Sequence, residues 1–475
     1  MLDRHQPVHF IGVGGIGMSA LAAILTARGH RISGSDARRT AVFDGLERSG
    51  VRLFHPQQAE TIHSLLADGA KPPVVVISSA VPETNPELME ARRHSLEILH
   101  RSDVLAELIN AQPSIAVAGS HGKTTTSSLL ATLLLAVGED PTAVIGGIVP
   151  AFASNGRHGA GKLLVAEADE SDGSLVKFHA GLAVLTNVEL DHTDHYPDLE
   201  ALIATFQRFA TGSGRLLANH DDPVLRERFR ADHWWSIQTA QGVDFALIPE
   251  QERGDGTTAG FHERGERLGS LELPLPGRHN LSNAAAALAA CRLEGVPFQA
   301  LQQAIHQLKP PGRRFDCRGL WQGRIVVDDY AHHPSEVEAT LRMARLMVES
   351  GRSRLPAAPE RLVAVFQPHR YSRTCQFLEA FATALTLADL VLLAPLYGAG
   401  EEPIAGISSA ALAEAVRRQA PGLEVFHSDS MPELSELVAH RSRAGDLVLA
   451  MGAGDVNSLW ERLGSLKPQP TVLAA

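Results

Sequence analysis

The chain has 475 residues, which at roughly 100–200 residues per domain predicts two to four domains. Hydrophobic residues make up 44% and charged residues 20%, so each domain can bury an ordinary core. The 43 Lys and Arg stand against 54 Asp and Glu, and the resulting net charge of −11 excludes a generally nucleic-acid-binding surface. We therefore expect no nucleic acid among the partners.

The cysteines and the lengths of the apolar stretches indicate the cellular compartment of the protein. Cys291, Cys317 and Cys375 lie far apart without CxxC spacing, which suits a reducing compartment. The first residues lack the apolar run of a signal peptide, and apolar stretches such as Ser128–Val137 are shorter than the ~20 residues that span a bilayer. These features predict a cytoplasmic protein without a membrane partner.

The first block of the chain, up to about Ile109, alternates strands with helices. Its predicted strands are Val8–Val13, Arg31–Ser35 and Val74–Ser78, and a glycine turn and a helix follow the first of them. Alternation of this kind is typical of a parallel α/β sheet.

Two further blocks show the same alternation. In the second block a helix over Lys123–Val137 and a surface hairpin at Glu250–Ser270 are predicted, and an Ala-rich helix over Asn283–Leu293 closes it. The third block begins near Arg314. The strands predicted in the two blocks are Ser114–Ala118, Leu163–Ala166, Ala183–Thr186, Ile325–Asp328, Leu362–Phe366, Leu390–Ala394 and Leu447–Met451. We therefore expect three α/β domains with ligands at the carboxyl ends of the strands.

The strongest motif lies between the first strand and the first helix of the second block. It is the run Gly119, Ser120, His121, Gly122, Lys123, Thr124, Thr125. Glycines let backbone N–H groups curl around an anion, and the helix N-terminus adds its dipole. Lys123 is predicted to reach the phosphates of ATP, and the Thr124 hydroxyl to bind Mg²⁺. The usual pattern has a glycine where this chain has Val117, and Gly119 serves as the turn glycine instead.

A second glycine turn follows the first strand of the chain. Its glycines are Gly12, Gly14, Gly15 and Gly17, and Asp36 lies after the next strand, where an acid can bind a ribose hydroxyl. The same geometry binds any diphosphate, because the contacts come from backbone amides and a helix dipole. The turn also supports an NAD(P)-dependent oxidoreductase as an alternative, although that function leaves the run 119–125 unexplained.

Polar clusters follow strands in the second and third blocks. Acidic clusters occupy 167–172 and 191–194, and each is predicted to supply at least one ligand for Mg²⁺, which prefers carboxylate oxygens beside substrate phosphates. The segments 328–334 and 366–374 carry histidines, arginines and a tyrosine suited to anchoring phosphates and a carboxylate.

Together these motifs resemble those of the Mur ligases, in order and over nearly the whole chain. The matching segments are Gly12–Ser19, Gly119–Thr126, Glu167–Asp172, His279–Asn283, Arg313–Phe315, Asp328–Pro334 and Phe366–Thr374. The resemblance implies three α/β domains: an N-terminal Rossmann-like UDP-sugar-binding domain (1–109), a central P-loop-type ATPase domain (110–312) and a C-terminal Rossmann-like amino-acid-binding domain (313–475). It also implies ATP and Mg²⁺ as cofactors.

The resemblance implies roles for individual residues as well. Lys123, His332 and Arg314 are expected to be catalytic, and Thr124, Glu167 and His192 to bind the metal. ATP is expected to contact the run 119–125 together with His279, Asn280, Asn283 and Asp329. The UDP-substrate is expected at Gly12, Gly14, Gly15, Gly17, Ser19 and Asp36, and the amino acid at Tyr330, His369, Arg370 and Arg373.

One difference from the pattern of the Mur ligases narrows the choice of expected substrates. Many Mur ligases carry a carbamylated lysine about fifteen residues past the metal-binding histidine, where this chain has Gln207. The branch that joins L-alanine to UDP-N-acetylmuramic acid through an acyl-phosphate, in peptidoglycan precursor synthesis, is similar in lacking that lysine. Those two substrates are therefore expected. A family member that recycles a whole peptide stays open, as does the choice between a monomer and a homodimer.

Overall fold

The computed structural model describes residues 3–68, 71–193 and 195–464, so Asp194 and the segment 465–475 lie outside the described residues. The described residues form three sheets and divide into two compact units. The first unit comprises Met1–Ala246, Glu263–Glu266 and Asn283–Pro311, and the second comprises Leu247–His262, Arg267–Ser282 and Gly312–Ala475.

The N-terminal sheet is parallel throughout, with the order β3-β2-β1-β4-β5. Its elements are β1 (Val8–Ile11), α1 (Ile16–Ala27), β2 (Ile32–Ser35), α2 (Ala41–Arg48), β3 (Arg52–Phe54), α3 (Ala59–Ala67), β4 (Val74–Ile77), α4 (Pro86–Arg93), β5 (Ile98–His100) and α5 (Arg101–Asn110). Because the strand order reverses beside β1, the loop from β1 to α1 lies at the topological switch point, where such sheets bind ligands.

The central sheet has the order β15-β14-β13-β12-β11-β10-β6-β9-β7-β8. The central elements are β6 (Ser114–Ala118), α6 (Lys123–Ala136), β7 (Thr142–Val149), β8 (Ser154–Arg157), β9 (Leu164–Glu167), β10 (Leu182–Leu185), α7 (Leu199–Gly212), β11 (Leu216–Asn219), α8 (Pro223–Arg228), β12 (His233–Ser236), β13 (Phe245–Arg253), β14 (Gly256–Glu263), β15 (Glu266–Leu273), α9 (Arg278–Leu293) and α10 (Phe298–Ala304). The neighbours β10, β6 and β9 are parallel, so the polar residues that follow them meet at one edge.

The C-terminal sheet has the order β16-β17-β21-β18-β19-β20 and is parallel except for β16. Its elements are β16 (Asp316–Trp321), β17 (Arg324–Asp329), α11 (Pro334–Ser350), β18 (Arg361–Phe366), α12 (Tyr371–Gln376), α13 (Leu378–Leu385), β19 (Leu390–Leu393), α14 (Ser409–Gln419), β20 (Glu424–His427), α15 (Met431–Arg441), β21 (Asp446–Met451) and α16 (Leu459–Arg462). Buried apolar side chains cover both faces of this sheet, which is why its central strands are apolar throughout.

The core of the first unit runs from the N-terminal sheet into the central one without a break, from Phe10 on β1 to Phe206 on α7. The strand β8 packs directly on α1. The Gly156 backbone lies so close to Ala20 that a Cβ at 156 would overlap it, and the Asn155 amide donates hydrogen bonds to the carbonyl of Ile16 and to the hydroxyl of Ser19.

The strands predicted from the sequence are all confirmed, with ends that differ by one or two residues. Two predictions about shape are wrong. The excursion at 250–270 is a three-stranded meander, because two-residue turns at 254–255 and 264–265 fold the charged segment back twice. The Ala-rich helix begins at Arg278 and not at Asn283, so His279 and Asn280 lie in its first turn. Among the described residues, no helix is both long and apolar enough to cross a membrane.

Candidate active site

The run 119–125 forms a loop between β6 and α6, as the sequence predicts. Gly119 has φ 132° and Gly122 has φ 81°, a region that favours glycine. A Cβ at Gly119 would overlap the hydroxyl of Thr186, and a Cβ at Gly122 would overlap the side-chain oxygen of Asn283. Both glycines are therefore required by backbone conformation and by close neighbours.

The loop that follows β10 holds the phosphate loop in place. The backbone N–H of His121 donates to Asn187 Oδ1 at 2.8 Å, and the hydroxyl of Thr186 donates to the His121 carbonyl at 2.6 Å. The Ser120 hydroxyl donates to the Glu189 carbonyl at 2.7 Å, and His121 Nε2 lies 3.0 Å from the Glu189 carboxylate. The side chains of Ser120 and His121 thus anchor the loop to residues that the sequence analysis did not single out.

Lys123 is partly buried, and its ammonium group is held by three acceptors. Its Nζ donates to the carbonyls of Gly119 and Ser120 at 2.7 and 3.0 Å and to Glu170 Oε1 at 2.9 Å. Burial alone would lower the pKa of Lys123, but the negative charges of Glu170 and Asp169 raise it above its ordinary value. Lys123 therefore carries a positive charge inside a carboxylate cluster.

The predicted metal ligands Thr124 and Glu167 are in contact. The Thr124 hydroxyl donates to Glu167 Oε1 at 2.9 Å, and the backbone N–H of Gly146 donates to Glu167 Oε2 at 2.7 Å. Burial raises the pKa of Glu167 above its ordinary value, although the charge of Lys123 opposes that rise. The loop hydroxyl and the strand-end carboxylate thus face each other.

The predicted ligand His192 lies in a second group, with two acids that are not among the three predicted metal ligands. Asp169, Glu170 and His192 each offer a ligand atom within 4.8 Å of the others, and His192 Nε2 is 3.6 Å from Glu170 Oε1. Burial raises the pKa of Glu170 to about 7, and among the described residues its Oε2 is a buried atom without a hydrogen-bond partner. A partly buried, oxygen-rich donor set with an orphaned carboxylate oxygen on Glu170, beside the phosphate loop, fits Mg²⁺.

Three of the residues expected to contact ATP, His279, Asn280 and Asn283, lie on α9. Asn283 accepts a hydrogen bond from the Thr126 hydroxyl at 3.2 Å and packs on Gly122. Asn280 donates to the Pro276 carbonyl at 2.8 Å. Burial, with the nearby charge of Arg314, lowers the pKa of His279 to about 4, so this imidazole is neutral near pH 7.

The N-terminal glycine turn places Gly12–Gly17 at the start of α1. The Gly14 N–H donates to Asp36 Oδ2 at 2.8 Å, so the acid predicted to bind a ribose lies at the turn. Ser19 is buried, and its hydroxyl donates to the Ile16 carbonyl at 2.9 Å. Arg101 on α5 extends from this domain to Asp169, with 3.2 Å between Nη2 and Oδ2.

In the second unit, Asp329 ends β17 beside Tyr330. The Asp329 carboxylate accepts the backbone N–H groups of Phe315 and Ala331, each at 2.7 Å, and burial raises its pKa to about 6. The guanidinium carbons of Arg313 and Arg314 lie 4.4 and 5.5 Å from the centroid of the Tyr330 ring. Backbone N–H groups thus hold Asp329, an expected ATP contact, and the Tyr330 ring packs against both arginines.

His332 is oriented by its surroundings. Its Nδ1 lies 2.9 Å from the Tyr330 carbonyl and 3.2 Å from the carboxylate of Glu336, which also lies 3.6 Å from Arg314. Because both neighbours of Nδ1 are acceptors, the proton of the neutral ring belongs on Nδ1 and the lone pair on Nε2. Glu336, in the first turn of α11, is a residue that sequence analysis missed.

Three of the four residues predicted to bind the amino acid, His369, Arg370 and Arg373, follow β18, whereas Tyr330 follows β17. Arg373 Nη1 donates to His369 Nδ1 at 3.2 Å, and the His369 ring stacks on Tyr397 with 5.6 Å between centroids. Burial, with neighbouring cations, lowers the pKa of His369 to about 4. Arg370, with φ 67°, lies 3.6 Å from Glu401 Oε1.

Glu401 also anchors the start of α12. Its carboxylate accepts from the Ser372 N–H at 3.0 Å and from the Ser372 hydroxyl at 2.7 Å. The sequence analysis missed Glu401, because its partners lie about thirty residues earlier in the chain.

Three family models match the chain in order. The model described as "Mur ligase family, catalytic domain" matches residues 7–113, "Mur ligase middle domain" matches 117–291, and "Mur ligase, glutamate ligase domain" matches 313–454.

Known proteins match at full length. The UDP-N-acetylmuramate--L-alanine ligase of Synechococcus sp. (strain CC9605) is 62% identical, over 98% of this chain and 99% of that protein. The protein of the same name from Prochlorococcus marinus (strain MIT 9303) is 60% identical, over 100% of this chain and 98% of that one. The crystal structure of the UDP-N-acetylmuramate-alanine ligase from Thermotoga maritima matches with a TM-score of 0.79 at 26% identity, covering 97% of this chain and 98% of that chain. The chain therefore belongs to the Mur ligase family.

Proposed function

We propose that this protein uses ATP to join L-alanine to UDP-N-acetylmuramic acid, releasing ADP and phosphate, in peptidoglycan precursor synthesis. The observation that carries the proposal is the identity of 60% or more with L-alanine ligases along the whole chain. An NAD(P)-dependent oxidoreductase is not favoured, because the relatives are ligases over their full length and the phosphate loop has no role in hydride transfer.

The three domains divide the substrates among them. Residues 1–109 bind the UDP-sugar at the turn Gly12–Gly17 with Asp36, and residues 110–312 bind ATP at the phosphate loop. Residues 313–475 bind L-alanine, whose carboxylate suits Arg370 and Arg373, because guanidinium groups pair with carboxylates in a bidentate way. The buried contacts of Ser19 suggest that it supports the sugar-binding turn and does not itself bind the substrate.

The first step makes the sugar carboxylate reactive. A carboxylate resists attack by an amine, because its charge is delocalised and oxide is a poor leaving group. Attack of a carboxylate oxygen on the γ-phosphorus of ATP forms an acyl-phosphate and releases ADP. Lys123 and the loop N–H groups hold the phosphates and stabilise their charge, since phosphoryl transfer depends on positioning and electrostatics.

Mg²⁺ fits the oxygen-rich edge beside the loop, where Thr124, Glu167 and His192 were predicted as ligands and Glu170 and Asp169 are additional candidates. When bound there, it neutralises charge on the phosphates and orients them. Lys123 exchanges Glu170 for the phosphates on ATP binding, which frees a carboxylate for the metal.

The second step forms the amide bond. The neutral amine of L-alanine attacks the acyl carbon, and the tetrahedral intermediate expels phosphate. His332 is proposed to accept the amine proton at Nε2, since its Nδ1 lies beside two acceptors, the Tyr330 carbonyl and the Glu336 carboxylate. Arg314 is proposed to stabilise charge on the phosphate.

The test is phosphate release from Mg-ATP with UDP-N-acetylmuramic acid and each amino acid supplied separately. Release that requires both the sugar nucleotide and L-alanine is the expected result. Phosphate release that occurs only with a peptide would show instead that the protein is a peptide-recycling member of the same family. Release that does not depend on the sugar nucleotide would overturn the proposal. We place the reaction in the cytoplasm, where ATP is available.

A further inference from the structure

A group of histidines and an acid lies on two neighbouring helices of the N-terminal domain and has no part in the proposed reaction. His63 lies on α3, Glu90 lies on α4, and His94 follows the last turn of α4. Glu90 Oε1 is 2.9 Å from His63 Nε2 and 3.2 Å from His94 Nε2. Three possible ligand atoms therefore converge, all within 4.8 Å of one another.

The helices that carry these residues are packed firmly. Ile62 and Leu65 on α3 and Leu88 and Ala91 on α4 belong to one buried cluster with Ile11 of the sheet. Ile62 adjoins His63 and Ala91 adjoins Glu90 in the sequence, so the packing fixes the Cα positions of both. The histidine side chains are 55% and 43% exposed, whereas the Glu90 side chain is only 9% exposed. An ion from solvent can thus reach a carboxylate that is already positioned.

The spacing of the ligand atoms suits a tetrahedral ion. Bonds of about 2.0–2.1 Å in tetrahedral geometry place two ligand atoms about 3.3 Å apart. The two measured N–O separations, 2.9 and 3.2 Å, lie within a few tenths of an ångström of that value. The two imidazole rings meet edge to face, with centroids 5.7 Å apart and an interplanar angle of 81°, so they do not obstruct each other.

The chemistry of the ligands selects the kind of ion. Two imidazole nitrogens and one carboxylate oxygen are typical of Zn²⁺ and its neighbours in the first transition series, whereas Mg²⁺ prefers oxygen ligands throughout. The second carboxylate oxygen, Glu90 Oε2, accepts a hydrogen bond from Arg93 at 3.0 Å, which leaves Oε1 for the ion and orients the carboxylate.

We propose that His63, Glu90 and His94 form a binding site for a divalent transition-metal ion such as Zn²⁺, separate from the Mg²⁺ site of the ATPase domain. The three side chains supply three ligands and water supplies the fourth. The bound ion ties the C-terminal end of α4 to α3.

Titration of the full-length protein with Zn²⁺, monitored by calorimetry, tests this site. Each of His63→Ala, His94→Ala and Glu90→Gln should remove one equivalent of bound Zn²⁺, or weaken that equivalent at least about tenfold, because loss of a direct ligand costs no less than loss of a supporting partner. The exposed His440 serves as a matched control, and His440→Ala should bind like the wild type. Circular dichroism checks that each variant is folded.

His192→Ala distinguishes this site from the active-site cluster, which also contains a histidine. That variant should keep the equivalent that His63→Ala loses. Cobalt as a spectroscopic probe should give the intense visible absorption of a tetrahedral ion in the wild type and in His192→Ala, and lose it in His63→Ala. Unchanged zinc stoichiometry and affinity in both His63→Ala and His94→Ala would overturn the proposal.

Discussion

The two units each have a polar site where parallel strands end, and the two sites hold their charged groups in different ways. In the first unit, Lys123 and Thr124 are bonded to Glu170 and Glu167, carboxylates that are themselves candidate metal ligands. In the second unit, Asp329 is held by two backbone N–H groups. Under the proposed function, Lys123 and Thr124 exchange these carboxylate partners when ATP and Mg²⁺ bind, whereas the carboxylate of Asp329 is already fixed by the backbone. Substitutions at Lys123 and Glu170 should therefore change catalysis, and those at Asp329 and Glu401 should change affinity or stability.

The largest effect is expected for Lys123→Ala. The variant loses the cation that stabilises the transferring phosphoryl group, and kcat should fall by about 10³-fold or more. Steady-state phosphate release measures this loss. The exposed Lys162 supplies the control, and Lys162→Ala should retain the wild-type rate. A Lys123→Ala enzyme within tenfold of the wild type would contradict the proposed role.

A smaller loss is expected for Glu170→Gln. The variant keeps the size of the side chain. It removes the negative charge that pairs with Lys123 and that is available as a ligand for the metal ion. We expect kcat to fall by about 10²-fold and the Mg²⁺ concentration for half-maximal rate to rise, because mutation at a metal site weakens binding by about 10–100-fold. Titration of activity against Mg²⁺ separates the two effects. An unchanged Mg²⁺ dependence would place Glu170 outside the metal site.

Glu401→Gln should act on affinity. Glu401 holds Ser372 and lies beside Arg370, so it is a positioning residue for the proposed alanine site. The KM for L-alanine should rise by about tenfold, the equivalent of one charge-assisted contact, while kcat changes little. The adjacent Glu402 is exposed, and Glu402→Gln serves as the matched control. A fall in kcat with unchanged KM would contradict a positioning role.

The last effect concerns stability and is confined to pH values below about 6. The pKa of Asp329 is about 6 in the folded protein against an ordinary 3.8, so between these values the folded state binds more protons than the unfolded state. The contribution of Asp329 to the free energy of unfolding therefore falls as the pH rises from about 4 to 6, by up to about 3 kcal/mol, and is constant above pH 6. Denaturation of the wild type and Asp329→Asn across this range gives the difference. Parallel pH profiles would show that Asp329 does not titrate in this way.

The sequence predicts the strands, the phosphate loop and the polar clusters well, because each depends on local patterns. Short apolar runs mark β1, β6 and β17, and the two glycines of the phosphate loop lie within four residues of the chain. The residues that contact these motifs are harder to predict from the sequence. Asn187 and Glu170 reach the phosphate loop from 66 and 47 residues away, and no local periodicity marks such contacts.

Ser19 illustrates the same limit. It lies within the resembling motif at the start of α1, and the motif suggests a substrate ligand. In the structure it is buried, and its hydroxyl accepts from Asn155, which is 136 residues later in the chain. Because α1 is apolar on nearly all sides, its sequence does not tell which face a neighbouring strand covers. Only the packing of β8 on α1 decides that.

That packing also limits modularity. Gly156 and Asn155 pack against α1, and one apolar core joins the N-terminal and central sheets. Residues 1–109 are therefore not expected to fold independently of the central sheet. In a chimaera, an N-terminal domain grafted from a relative with a larger residue at the position of Ala20 would clash with β8 unless the β7–β8 hairpin were transferred with it. Recombination within the family should therefore have kept α1 and this hairpin together, although the chain separates them by more than a hundred residues.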